Sequence, residues 1–261
     1  MQVRLSLHFK FDRLRYFFDI AYKGTNYHGW QIQKNANSVQ ETIESKLEQL
    51  LGQACSITGS GRTDTGVHAR KQVFHVDLDK ALNYQDFAYH LNAVLPQDIV
   101  VRSIRPVHDE AHARFDADSR GYQYQIIKRK DPFLIGEAYM YSRELDIEKL
   151  NTAASHLVGK YDFEAFSKVK TSVNNFDCDV TKAVWYEQDG MVVFEVKANR
   201  FLRGMVRAIV GTLLLANEDR LKPEGIIEIL ESRDRKKAGR SVPAEGLFLT
   251  EVNYPERIFI S

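Results

Sequence analysis

The chain has little cysteine, little proline, no long apolar run and almost no excess of either charge, and each shortage removes a class of protein. Two cysteines, Cys55 and Cys178, in 261 residues cannot make a disulfide framework and show no metal-ligand spacing, so two reduced thiols are expected. Six prolines and the lack of any low-complexity tract exclude a Pro-rich disordered chain. No stretch approaches the ~20 apolar residues of a membrane helix. The leader Met1 to Arg15 is broken by Arg4, His8, Lys10, Asp12 and Arg13, which leaves it without a signal-peptide core. A cytoplasmic protein without a membrane anchor is expected, with residues 1–14 as an N-terminal extension. The formal net charge of +1 neither demands nor excludes a polyanionic partner; only clustering of Lys and Arg on one face would reveal one.

What is present describes an ordinary globular protein, with 44% hydrophobic and 27% charged residues. At this length roughly three quarters of the unfolded surface is buried on folding, enough for a core without metals or disulfides. Arg15 to Tyr22 reads as a strand. Ser38 three residues before Glu41 marks a helix start, and Val39, Ile43, Leu47, Leu50 and Leu51 give that helix one apolar face, stopped by Gly52. Cys55 to Thr58 and Gln72 to Leu78 read as strands, Asn83 to Leu95 as a helix and Ile99 to Ile104 as a strand. The pattern breaks across Arg105 to Ala117. Beyond it, Arg120 to Lys128 alternates as a strand, with Tyr122, Tyr124 and Ile126 on one face. A helix follows over Ile147 to Val158. Val180 to Tyr186 and Met191 to Val196 form a hairpin across Asp189-Gly190. A helix over Phe201 to Ala216, a further helical run after Pro223 and a strand over Leu247 to Val252 complete the chain. The predicted class is α+β: two related halves, 15–110 and 111–261, with mixed, mainly antiparallel sheets joined into a central sheet, helices outside and a cleft between the halves.

Between two of the predicted strands lies Gly59-Ser60-Gly61-Arg62-Thr63-Asp64-Thr65-Gly66-Val67-His68. Glycines let a large partner approach the backbone, and flanking strands give Asp64 a rigid mount. An Asp in such a loop is also an ordinary turn former. The third glycine of a dinucleotide fingerprint is missing, as is the Gly-Lys-Ser/Thr of a phosphate-binding loop. His108 and His112 are four apart, but no Glu occupies the position that a zinc hydrolase requires, so a metal-dependent hydrolase is a poor reading. Arg200, Arg203 and Arg207 recur at i, i+3 and i+7 with no acidic residue interleaved. On a helix they would form one stripe suited to a phosphate backbone. Lys128 to Lys130 and Arg233 to Lys237 extend the basic track. Tyr122 is either core or a platform for an extruded base.

With these pieces together the chain resembles the pseudouridine synthases that act on tRNA. The carriers are Gly61-Arg62-Thr63-Asp64-Thr65-Gly66-Val67-His68-Ala69, Tyr22 to Gln33, His112-Ala113-Arg114-Phe115 with Tyr122, Met205 to Gly211, and Pro243 to Leu249. They come in the family's order from Tyr16 to Pro255. Thr65 stands where Ala is more usual, Ala111 replaces a common aromatic, and Arg240-Ser241 alters the approach to the last block. The resemblance implies isomerisation of uridine to pseudouridine at consecutive positions (38–40) of the tRNA anticodon arm, by a homodimer and without a cofactor. It implies Asp64 as the catalytic residue and Arg62 as a substrate-binding residue beside it, pairing with it and helping to displace the base, with Tyr122 stacking on the flipped base and Arg207 reaching the site. Arg200 and Arg203 are expected to contact phosphates. A noncatalytic RNA-binding module of the same fold is the alternative.

Overall fold

A computed structural model describes residues 13–168 and 174–260. Nearly all of the expected extension, 1–14, lies outside the described residues, although the first strand already begins at Leu14. The elements are β1 (Leu14–Tyr22), α1 (Val39–Leu51), β2 (Thr58–Gly59), β3 (His68–Leu78), α2 (Tyr84–Val94), β4 (Ile99–Val107), β5 (Ser119–Ile127), β6 (Tyr139–Met140), α3 (Ile147–Ser155), β7 (Gly159–Asp162), β8 (Asp177–Gln188), β9 (Met191–Ala198), α4 (Met205–Asn217), α5 (Gly225–Ser232) and β10 (Leu247–Asn253).

Local rules account for several boundaries. The Ser38 hydroxyl accepts the Glu41 N–H at 3.2 Å, and Gly52 closes α1 in the left-handed region at φ 71°. Asp189 and Gly190 both have positive φ, 52° and 76°, the backbone of a two-residue turn whose twist matches the β8–β9 strands. Where the sequence pattern breaks at Arg105, β4 in fact continues through Pro106 to Val107. This is an edge strand, where a residue without an N–H is tolerated.

The strands make one ten-stranded sheet in the order β4-β1-β3-β10-β5-β9-β8-β7, with β2 on β3 and β6 on β5. Two triplets repeat within it. β4-β1-β3 and β10-β5-β9 each place a last strand beside a first strand beside a middle strand, antiparallel throughout. They join where β10 pairs parallel with β3, Phe248 opposite His68 and Leu249 opposite Ala69. The closing strand is therefore the central seam of the sheet, and Leu249, Val252 and Ile258 pack into the N-terminal core with Phe18, Phe74 and Ile43. A second core gathers α3, α4 and α5 over Tyr124, Ile126, Trp185 and Phe194. The other face of that part of the sheet is polar. Lys182 pairs with Glu195 at 2.6 Å, Lys197 with Glu251 at 3.0 Å, and Gln123 donates to the Tyr186 hydroxyl at 3.1 Å.

His75 illustrates a buried titratable group. It is 7% exposed, and its Nδ1 accepts the Ala113 N–H at 3.1 Å. Burial, with nearby Arg15 adding to it, pushes the imidazole down to about 4. The unfolded chain binds a proton near pH 6.5 and the folded chain does not. The contribution of neutral His75 is therefore complete above about pH 6.5 and is lost as pH falls toward 4. Urea unfolding across that window should show stability falling by about 3 kcal/mol. His75→Asn, which keeps an acceptor but cannot titrate, should flatten the slope.

Candidate functional site

The loop from Ser60 to Val67 leaves β2, runs back along β3 and enters it at His68, the residue that pairs with Phe248 of β10. Several contacts fix its course. The Ser60 N–H donates to the Val73 carbonyl at 2.7 Å, and the buried Gln72 amide donates to the Gly61 carbonyl at 3.0 Å. The Thr63 hydroxyl lies 2.8 Å from the buried Tyr22 hydroxyl, and the Trp30 N–H reaches the Thr63 carbonyl at 3.2 Å. The Val67 N–H then closes a turn on the Asp64 carbonyl at 3.1 Å.

The neighbouring Tyr22–Gln33 block is there to let two backbones touch. A Cβ on Gly24 would lie 2.0 Å from the Val67 carbonyl oxygen, and one on Gly29, at φ +92°, would lie 2.4 Å from that of Thr63. Any side chain at either place displaces the loop. Gly61 differs, because a Cβ there meets nothing within 4 Å. Its side of the loop is open space.

Asp64 faces two guanidinium groups, Arg203 Nε at 3.7 Å and Arg207 Nη1 at 3.6 Å. Both distances are too long for hydrogen bonds, so the charges are close while the carboxylate keeps its lone pairs free. Its side chain is 29% exposed. Arg207 is fixed from behind, its Nε donating to the Val242 carbonyl at 2.7 Å. Arg203 is exposed. The pairing expected between Arg62 and Asp64 is not the one observed: Arg62 points to solvent, and the two ion-pair partners of Asp64 among the described residues are Arg203 and Arg207.

The single helical stripe of arginines is also corrected. α4 begins at Met205, capped by Gly204 in the left-handed region at φ 71°. Arg200 and Arg203 therefore precede the helix, on the segment that leads from β9 into it. The helical phase does not run through Gly204, yet the bend delivers Arg203 and Arg207 to one carboxylate. Of the extended basic track, Lys128 is paired with Glu144 at 3.0 Å and Arg233 with Asp162 at 3.2 Å. Arg235 holds its own loop through the Gly239 carbonyl at 2.9 Å.

Tyr122, on β5, is half-buried, packs against both cores and lies near Asp64. Phe201 meets its ring edge-on at 5.0 Å between centroids. Burial pushes its phenol up to about 12, with Arg120 opposing and Asp64 adding to the rise. The ring is neutral at pH 7 and held by packing. His112 belongs to a turn, since its Nδ1 accepts the N–H groups of Arg114 and Phe115 at 3.1 and 3.3 Å. Among the described residues no cluster of three or more His, Cys, Asp or Glu side chains comes together. None of the helices there is long and apolar enough to cross a membrane.

Contacts that sequence patterns did not reveal are the Tyr22–Thr63 pair, the Gln72 support and the guanidinium of Arg120. None has a periodic signal, and the Tyr22–Thr63 pair and the reach of Arg120 to Ser60 and Asn199 join residues distant in the chain.

A partly exposed carboxylate between two arginines, close to a neutral aromatic ring, suits a nucleophile or base acting on an anionic, base-bearing substrate. Sequence comparison points the same way. The family profile described as tRNA pseudouridine synthase matches residues 20–116 and 153–255. A protein of Porphyromonas gingivalis named tRNA pseudouridine synthase A is 45% identical over 250 residues, covering 94% of this chain and 99% of the relative. Relatives of the same name from Parabacteroides distasonis and Bacteroides thetaiotaomicron are each 46% identical and cover 94% of this chain, with 98% and 92% of their own lengths matched.

Proposed function

Since the chain belongs to the tRNA pseudouridine synthase family, we propose that it isomerises uridine to pseudouridine at consecutive positions (38–40) in the anticodon arm of tRNA. The observation that carries this is Asp64 held open between Arg203 and Arg207. The reaction breaks the N1–C1′ bond, turns the base, joins C5 to C1′ and releases the C5 proton. Only one carboxylate is needed, whether it attacks C1′ or C6 of the base or takes a ribose proton. Net composition is conserved, so no cofactor is required. Arg203 and Arg207 pair with Asp64 before substrate binds and face the phosphates of the flipped nucleotide afterwards. Arg200 extends the phosphate contacts, and Arg62, exposed two residues before Asp64, binds the substrate and helps displace the base. The open space beside Gly61 admits the ribose. Tyr122 stacks on the extruded uracil, which offsets part of the cost of leaving the RNA stack.

A net charge of only +1 suits a homodimer in which two modest basic clefts grip one tRNA, in the cytoplasm, with binding that weakens steeply with salt. The partly repeated strand triplets favour reading 15–110 and 111–261 as the two halves of an old duplication. The site assignment is tested by mapping pseudouridine in a tRNA transcript with carbodiimide-dependent reverse-transcription stops. Stops at 38–40 are expected where uridine occurs there; modification only elsewhere would overturn the position. Tyr122→Phe, which keeps the ring, should bind and react within a few-fold of wild type. Tyr122→Leu should lose most activity, and equal behaviour of the two would count against stacking.

A further inference from the structure

Arg120, the second residue of β5, has a role that the isomerisation chemistry does not assign. Its half-buried guanidinium donates to four backbone carbonyls. Nη1 reaches Ala117 at 3.0 Å and Asn199 at 2.9 Å, while Nη2 reaches Ser60 at 3.0 Å and also Arg114. These acceptors lie on three separate stretches: the start of the Asp64 loop, the turn before β5, and the residue immediately before Arg200. Among the described residues no carboxylate comes within ion-pair distance of it, in contrast to the paired Arg15 and Arg207. Burial disfavours its charged form, and Arg114 and Arg200 add like-charge repulsion. An arginine nevertheless stays protonated, so among the described residues a half-buried charge is held by carbonyl dipoles without a carboxylate partner.

Such a cation is costly to keep unless its geometry matters. A planar guanidinium fans its donors at fixed angles and can bridge carbonyls on different segments at once. An ammonium concentrates three donors on one atom and cannot span them. Ser60 anchors the loop that carries Asp64, and Asn199 anchors the segment that carries Arg203. Holding both carbonyls on one rigid group fixes the separation of Asp64 and Arg203, now 3.7 Å. Tyr122 lies two residues further along the same strand face, so all three active groups are referenced to one point. We propose that Arg120 is a positioning residue for the isomerisation proposed above, a clamp that sets the Asp64 loop against the Arg200–Arg203 segment; the inference rests on that functional reading.

Arg120→Lys keeps the charge and removes the fork, so turnover on tRNA should fall about 100-fold, the cost of a misplacement near 1 Å. Apparent tRNA affinity should stay within about threefold, because charge governs it. In the free protein, amide hydrogen exchange at residues 60–66 and 199–204 should accelerate at least about tenfold with the global unfolding midpoint little changed. Wild-type turnover in Arg120→Lys, or unchanged exchange in both segments, overturns the clamp. If wild type forms no pseudouridine the functional reading fails, and the exchange experiment still decides the geometric claim. Should the lysine variant not fold, NMR of the wild-type protein decides: a guanidinium held by four carbonyls shows separate, slowly exchanging Nη protons, and one averaged resonance overturns it.

Discussion

Asp64→Asn should abolish turnover on tRNA, lowering it on the order of 10³-fold or more, while the protein folds normally and still binds tRNA. The substitution keeps the size and shape of the side chain and removes the charge that makes it a nucleophile or base. Folding is spared because Asp64 is partly exposed and makes no close hydrogen bond to either arginine, its contacts being 3.6 and 3.7 Å long. Binding should be unchanged or slightly tighter. Removing the carboxylate leaves Arg203 and Arg207 without their Asp64 partner and takes one negative charge from a site proposed to receive phosphate. Loss of turnover together with loss of binding, or of fold, would place Asp64 in a structural role instead.

Gly211→Ala should destabilise the protein by about 3 kcal/mol, lowering its thermal midpoint by about 6 to 12 °C. In an exposed helix the same change usually stabilises, by about 1 kcal/mol, since alanine is the better helix former. Here packing decides the sign. Nearly every residue of α4 is buried, and a Cβ on Gly211 would lie 1.8 Å from the Arg240 carbonyl oxygen, while one on Gly239 would lie 2.6 Å from that of Gly211. Two backbones are in direct contact, sealed by the Gly239 N–H on the Thr212 hydroxyl at 2.8 Å. The same segment continues to Val242, whose carbonyl holds Arg207 and whose N–H donates to the Arg207 carbonyl at 3.2 Å. The alanine variant should therefore also lose activity beyond what its lower stability accounts for. An unchanged midpoint by calorimetry would contradict this packing account.

Much of the fold was legible because local signals governed it. Ser38 and Gly52 bound α1, Asp189-Gly190 forces the β8–β9 turn, and alternation marks β5. The α+β class and the loop carrying Asp64 followed from such patterns. Long-range register was not legible. Nothing in Leu247 to Val252 says that this strand lies at the centre of the sheet, parallel to β3, since a buried strand looks alike at any position. The arginine stripe was misread for a local reason. A spacing of three and seven suggests one helical face, but Gly204 at φ 71° interrupts the helix between Arg203 and Arg207, and periodicity carries no warning of a turn. The pairing that the resemblance implied for Arg62 is not the one that the fold makes in the free protein. Two residues from Asp64 along an extended loop places a side chain beside it in number only, whereas Arg203 and Arg207 arrive from the other half of the chain. Arg120 left no pattern at all, because its acceptors are backbone carbonyls that every sequence possesses.

The most direct test of the account is nucleoside analysis of a uridine-containing tRNA transcript after incubation with the purified protein alone. Wild type should convert uridine to pseudouridine with multiple turnovers and no added metal or cofactor, and Asp64→Asn should yield none at equal tRNA occupancy. Pseudouridine formed at the wild-type rate by Asp64→Asn, or none formed by wild type while tRNA is bound, would contradict it.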